Sequence, residues 1–213
     1  MDENLLRFTY KNKYWLSFDL ETESLNLGYA KAWQIFWMLS KGDETLEKHN
    51  YYIKWLDLNV SNGAAKVTDF NPKLIDKEGK DPNEILSLFD KYLYNPEYFI
   101  VGANIIGYDC MIHNNWRLKC NKNTNYSWLN RLYDTNCLSK AYKLNWKKKK
   151  DEDFLTFQFR LNNFRQKGLK SSVSTMAKEF NIPFNPLTLH QAQNDVPITY
   201  EIFKQLMWKL EIE

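Results

Sequence analysis

Four carboxylates and one histidine are spaced so that a fold could close them into a single site: Asp19, Glu21, Asp109 and Asp195, with His190. Asp19 and Glu21 stand two apart in an alternating run, residues 14–21, where Leu16, Phe18 and Leu20 face one way and Ser17, Asp19 and Glu21 the other. Two carboxylates leaving one face of a strand can hold two hard cations roughly 3.5–4 Å apart. Asp109 ends the run Val101-Gly102-Ala103-Asn104-Ile105-Ile106-Gly107-Tyr108-Asp109, and His190 lies five residues before Asp195. Gathered without basic partners, such acids repel one another and cost stability, and divalent cations are the usual reason to keep them together. Taken singly, each piece also has a plainer reading. Asp-x-Glu suits the solvated face of an edge strand, Asp109 a first-turn helix acid, and His190 with Asp195 a loop histidine and a helix cap.

The elements that must bring these residues together follow from periodicity and punctuation. Residues 33–39 read as a buried strand, Lys41-Gly42-Asp43 as a turn and residues 49–56 as the returning strand, so the chain opens with an antiparallel meander. Asp81-Pro82-Asn83-Glu84 is a helix start with a cap, a first-turn proline and a reciprocal acid, followed by the stripe Ile85, Phe89, Tyr92 and Leu93. Residues 98–101 predict a short strand, 108–118 a helix and 131–134 another strand, with Asp134 capping a helix through about Tyr142. Ser171 or Ser172 opens a helix that turns Val173, Met176, Ala177 and Phe180 inward, with Pro183 just beyond its end. Pro197 belongs in a first turn, which places the start of the last helix near Asp195, with the stripe Ile198, Ile202, Phe203, Leu206 and Leu210. On one continuous helix His190 and Asp195 would diverge by about 140°; a start near Asp195 leaves His190 on the entering loop, free to fold back toward the acids. The expected fold is α/β, a mixed sheet flanked by helices.

Residues 141–168 suit that scheme poorly. Tyr142, Leu144 and Trp146 alternate, and so do Leu155, Phe157, Phe159 and Leu161, which predicts an inserted β-hairpin with a charged tip. Lys147, Lys148, Lys149 and Lys150 beside Trp146 could bind phosphates and stack a base, against a solvated turn whose charge Asp151, Glu152 and Asp153 largely cancel.

Composition bounds the rest. A chain of 213 residues, 44% hydrophobic and 16% aromatic, has material for one domain with a sizeable core. No apolar stretch of about 18 residues exists, so no membrane span or membrane partner is expected. The acidic start Met1-Asp2-Glu3-Asn4 lacks an apolar signal segment, and Cys110, Cys120 and Cys137 form no CxxC pair. Together these predict reduced thiols and a cytoplasmic setting. A net charge of +3 assigns any nucleic-acid binding to local patches.

The three motifs in order resemble the histidine subclass of the DEDD exonuclease superfamily, the group that includes DNA polymerase proofreading domains, RNase T and oligoribonuclease. The first is Phe18-Asp19-Leu20-Glu21-Thr22, the second Asn104 through Tyr108-Asp109, and the third His190 with Asp195; the tyrosine subclass would need Tyr where this chain has Gln191. The resemblance spans about residues 14–210. It departs in Thr22-Glu23-Ser24-Leu25, where Thr-Thr-Gly-Leu is usual, and in Ala103, where bacterial proofreading subunits often carry His.

The resemblance implies a ribonuclease-H-like five-stranded sheet and a two-metal 3′–5′ exonuclease using Mg²⁺ or Mn²⁺. It makes Asp19, Glu21 and Asp195 ligands, with Asp19 bridging two ions and Asp109 acting mainly through water. His190 becomes the general base, a role that histidine's usual pKa of about 6.5 suits. Thr22, Leu25, Asn104 and Tyr108 fall at positions that meet the terminal nucleotide. The expected substrate is a single-stranded or frayed 3′ end, DNA before RNA, releasing nucleoside 5′-monophosphates, with a polymerase or replication partner in trans as a further expectation. Competing readings are an RNA-directed exonuclease of the same family, an endonuclease or resolvase of the same broad fold, and a binding or polymerase-partner module with little or no hydrolysis.

Overall fold

The computed structural model describes residues 11–210, so the Met1–Asn4 stretch read above for a signal lies outside the described residues. A five-stranded sheet has the order β3-β2-β1-β4-β5. Strands β1 (Tyr14–Thr22), β2 (Ala32–Lys41) and β3 (Glu44–Tyr52) form the expected antiparallel meander, and β4 (Tyr98–Gly102) and β5 (Leu132–Asp134) add in parallel beside β1. The turn between β2 and β3 is Gly42-Asp43, where Gly42 takes φ +56°, a conformation glycine adopts without steric cost. The third strand begins and ends earlier than the sequence pattern suggests, because the short turn starts pairing at once, Lys41 opposite Glu44.

Both faces of the sheet are covered. Leu16, Phe18, Leu20, Ile35, Trp37 and Ile100 pack on α3 (Pro82–Leu93) and α4 (Asp109–Lys119), which contribute Phe89 and Trp116. Trp15, Phe36, Met38 and Val101 form a second core with α5 (Thr135–Leu144), α7 (Val173–Glu179) and α8 (Ala192–Lys209). Two short helices, α1 (Asn62–Thr68) and α2 (Pro72–Glu78), precede α3 in a stretch the sequence pattern left unassigned. Asp81 accepts bonds from the Asn83 and Glu84 N–H groups at the start of α3, a cap that contributes about 1 kcal/mol. Asp134 and Ser172 cap α5 and α7 as expected.

Two expectations are corrected. Residues 141–168 are not a β-hairpin: α5 runs to Leu144, Asn145 ends it in the left-handed conformation, and α6 (Phe154–Asn163) follows a turn. The alternation of Leu155, Phe157, Phe159 and Leu161 coincides with a helical set, Phe154, Phe157, Gln158 and Leu161, and the helical set is the inward one. Phe159 is 40% exposed, whereas Gln158 and Leu161 are fully buried. Asp153 decides between the two periods by capping the Thr156 N–H at 2.8 Å.

The last helix begins at Ala192, three residues before Asp195, with Pro197 inside it. The Gln191 carbonyl accepts from Asn194 at 2.8 Å and Asp195 at 3.0 Å, which starts the helix early. Inside the helix the proline lacks the N–H that would reach the carbonyl four residues back, that of Gln193, and its ring crowds that carbonyl. No helix among the described residues is long and apolar enough to cross a membrane. All three cysteines are buried and unpaired.

Candidate active site

The β1–β4 ladder ends at Ser17 opposite Val101, while β1 continues to Thr22 against β2. A crevice therefore opens where β1 has lost its parallel neighbour, outside the carboxyl ends of the parallel strands, the usual ligand position in open α/β sheets. It is a cavity of about 420 Å³ bordered by Asp19, Glu21, Asn104, His190 and Asp195, with Asn136, Ser171, Ser172 and Ser174 on another wall.

The four acids come from three elements. Asp19 and Glu21 leave the β1 face that carries Trp15 and Ser17, the face α8 covers. Asp195 comes from the first turn of α8, whose Ala192 N–H bonds the Glu21 carboxylate. Asp109 opens α4 behind the cavity: it is 3% exposed, and its Oδ1 accepts the Leu20 N–H at 3.2 Å. That amide lies between the two β1 acids.

The electrostatics are those of uncompensated anions. Burial, then the neighbouring Asp195, push Asp19 up to about 7, against the Leu20 amide that lowers it. Burial, then Asp19, Asp195 and Asp109 in turn, push Glu21 up to about 10. Burial followed by Asp19 holds Asp109 well above the usual carboxylate range. Burial also raises Asp195, opposed by the backbone N–H and charge of His190. Oδ1 of Asp195 is buried without a hydrogen-bond partner, although Oδ2 accepts the His190 N–H at 3.1 Å. His190 is exposed, at φ +65°, on the loop that enters α8.

This donor set suits a hard divalent cation: four carboxylates, none of them paired with Lys or Arg among the described residues, and one orphaned carboxylate oxygen. As they stand, no three His, Cys, Asp or Glu side chains among the described residues are arranged to hold an ion. Binding one would require the carboxylates to draw in, trading mutual repulsion for coordination.

Of the other residues singled out, Asn104 borders the cavity at φ +62°. The Thr22 and Tyr108 hydroxyls lie 2.5 Å apart and 3.0 and 2.7 Å from the Ser24 carbonyl, so one donates to the other and the second donates to that carbonyl. Leu25, 86% exposed, is on the loop that follows. Trp146 and Lys147–Lys150 border a separate cavity.

One contributor escaped sequence reading. Asp134, expected only as a cap, is fully buried and also accepts the Asn104 N–H at 3.1 Å and the Ile106 N–H at 3.0 Å. It thereby fixes the loop leading to Asp109, and Gln158 of α6 accepts its own N–H at 2.7 Å. In that loop Gly107 leaves room for the Asn104 side chain, whose Oδ1 would have to move from a Cβ 2.4 Å away. The available signal was Asp134 at a strand end beside a helix start, which a cap explains equally well.

No protein-family model matches the sequence, and no curated protein matches it significantly. Solved structures do. Escherichia coli exonuclease I in complex with a dT13 oligonucleotide superposes with a TM-score of 0.73 at 18% identity, over 93% of this chain and 42% of that one. Exonuclease I in its apo form gives 0.70 at 18%, over 92% and 44%, and the ExoI/SSB-Ct complex 0.70 at 18%, over 93% and 42%. The chain thus spans less than half the length of these structures. What it shares with them, across nearly all its own length, is the ribonuclease-H-like α/β fold of exonuclease I.

Proposed function

We propose that this chain is a divalent-metal-dependent 3′–5′ exonuclease domain acting on single-stranded nucleic acid, DNA before RNA. The observation that carries the reading is the convergence of Asp19, Glu21 and Asp195 on one crevice without a basic partner, beside His190 and with Asp109 buried directly behind them. The fold shared with exonuclease I supports it, and neighbours of that fold hold dT13 and dA16 oligonucleotides.

Asp19, Glu21 and Asp195 would hold one Mg²⁺ or Mn²⁺, and Asp19 would reach a second. Asp109, behind the strand, would act through water. Bound divalent cations supply charge neutralisation at the phosphodiester and acidify the attacking water.

The chain's own residues do the rest. The amide side chain of Asn104 at the crevice, and Thr22, Leu25 and Tyr108 from outside its lining, would orient the terminal nucleotide. The Asp195 carboxylate anchors the backbone of His190, which borders the crevice. One ring nitrogen of His190 then takes the proton from the attacking water, and the product is a nucleoside 5′-monophosphate.

The test uses 3′-labelled and 5′-labelled single strands, duplex DNA, RNA and closed circles with Mg²⁺ or Mn²⁺. Mononucleotides should appear first from the 3′ label, and closed circles should resist. Asp19→Ala should abolish turnover, and His190→Ala should cost about 10²–10⁴-fold, the usual worth of a general base. Full activity in EDTA, or cleavage of circles, would overturn the reading.

A further inference from the structure

A second cavity, about 550 Å³, is bordered by Lys147, Lys148, Lys149, Lys150 and Lys209 over a floor that includes Phe154 and Phe157. In the sequence the acids at 151–153 look able to cancel the lysine run, but in the fold two of them are committed elsewhere. Glu152 takes the Arg160 guanidinium through two 2.8 Å bonds and the Lys149 N–H at 3.0 Å. Asp153 caps α6 through the Thr156 N–H and hydroxyl. Among the described residues, Lys147–Lys150, Arg160 and Lys209 stand here with Asp151, Glu152 and Asp153. Trp146 is not free to stack a base: its ring packs on Phe164 at 4.7 Å and under Arg160 at 5.1 Å.

The position is informative. Helices α5 and α8 both begin at the catalytic crevice, with Asn136 and Asp195, and both end at the lysine cavity, with Asn145 and Lys209–Leu210. Lys209 lies fourteen positions beyond Asp195, about 21 Å along the helix. At the stacked spacing of 3.4 Å per nucleotide that is roughly six nucleotides. We infer that the lysine cavity is a distal anchor for the phosphate backbone of the same single strand whose 3′ end occupies the crevice. This rests on the exonuclease reading above, and it makes substrate length a variable the enzyme senses.

The experiment compares wild type with a variant in which Lys147, Lys148, Lys149 and Lys150 are all serine, on a 20-nucleotide strand and a trinucleotide. The variant should raise KM about tenfold for the 20-mer and leave KM for the trinucleotide and both kcat values within twofold. It should also flatten the salt dependence of the 20-mer KM, by about 0.7 in log–log slope for each phosphate no longer neutralised. Equal KM changes on both substrates, or an unchanged slope, would overturn the anchor. Lys149→Glu with Lys150→Glu, which leaves the Glu152–Arg160 clamp in place, should give a larger effect of the same kind. Fluorescence anisotropy of a labelled 20-mer in EDTA repeats the comparison without turnover. If wild type proves inactive, the exonuclease reading fails while the anchor is still tested. Unchanged oligonucleotide affinity together with lost binding of an oligoglutamate peptide would make the cavity a protein-docking site instead.

Discussion

Glu21 carries the tension of the site in a single side chain. Its carboxyl is buried among three others and sits near 10 instead of 4.5, so the metal-free protein retains a proton there that the unfolded chain releases. A folded-state pKa above the unfolded one contributes stability that is complete below pH 4–5 and drains away as pH rises through the folded value. Asp19, pushed from 3.8 to about 7, acts in the same direction. In EDTA, thermal stability should therefore fall from pH 5 to pH 9, and Glu21→Gln should flatten that fall. At pH 8 the same variant should melt higher than wild type, by roughly 2–4 °C for each kcal/mol of repulsion relieved, while losing turnover. Differential scanning fluorimetry across that range checks both, and a profile that rises with pH would refute the electrostatic picture. The five candidate residues could be picked out in the sequence by type and order, and four of them, Asp19, Glu21, His190 and Asp195, border one cavity. Their environments could not be read there, since burial and mutual approach arise only when residues 19–21, 109 and 195 meet.

Among the elements, the loop between β4 and α4 is held from below by Asp134, itself braced by Gln158 on α6. Asp134→Asn places an amide nitrogen where an oxygen accepts either the Asn104 or the Ile106 N–H. Leaving one such buried donor unsatisfied costs about 1–3 kcal/mol. The variant should lose several degrees in Tm and raise the metal concentration needed for half-maximal activity, because Asp109 follows that loop. A merely structural defect would lower Tm and leave the metal titration unmoved. Elements with strong punctuation were readable in advance: Asp81-Pro82 started α3, and alternation marked β1. The failures came where two physical signals competed. A period-two pattern overlay a helical one at residues 154–161, and Pro197 pointed to a helix start that the Gln191 carbonyl had already made. Gln158 could not be foreseen as a brace, because nothing local distinguishes it from a surface glutamine.

For the whole molecule, the proposed metal site ties the first strand of the sheet to the last helix on one face and to α4 on the other. A cation that binds only the closed arrangement stabilises the fold by mass action, about 2.7 kcal/mol at one hundred times its dissociation constant. Mn²⁺ should therefore raise Tm by roughly 5–10 °C at pH 7.5. Hydrogen exchange should slow at β1 and the start of α8, and leave β3 at the far edge unchanged. Uniform slowing across β3 would place the ion elsewhere.

The bond from the Leu20 amide to Asp109 turns the strand into a gauge of its own chemistry. Where β1 has lost its parallel neighbour, a carboxylate oxygen stands in for the missing carbonyl, so that oxygen cannot turn toward an ion without releasing the amide. Recruitment of Asp109 into an inner coordination sphere would leave the Leu20 proton exchanging faster even as its neighbours slow, whereas recruitment through water would leave it protected. One backbone hydrogen thus distinguishes two modes of metal capture in the intact protein, with no residue altered.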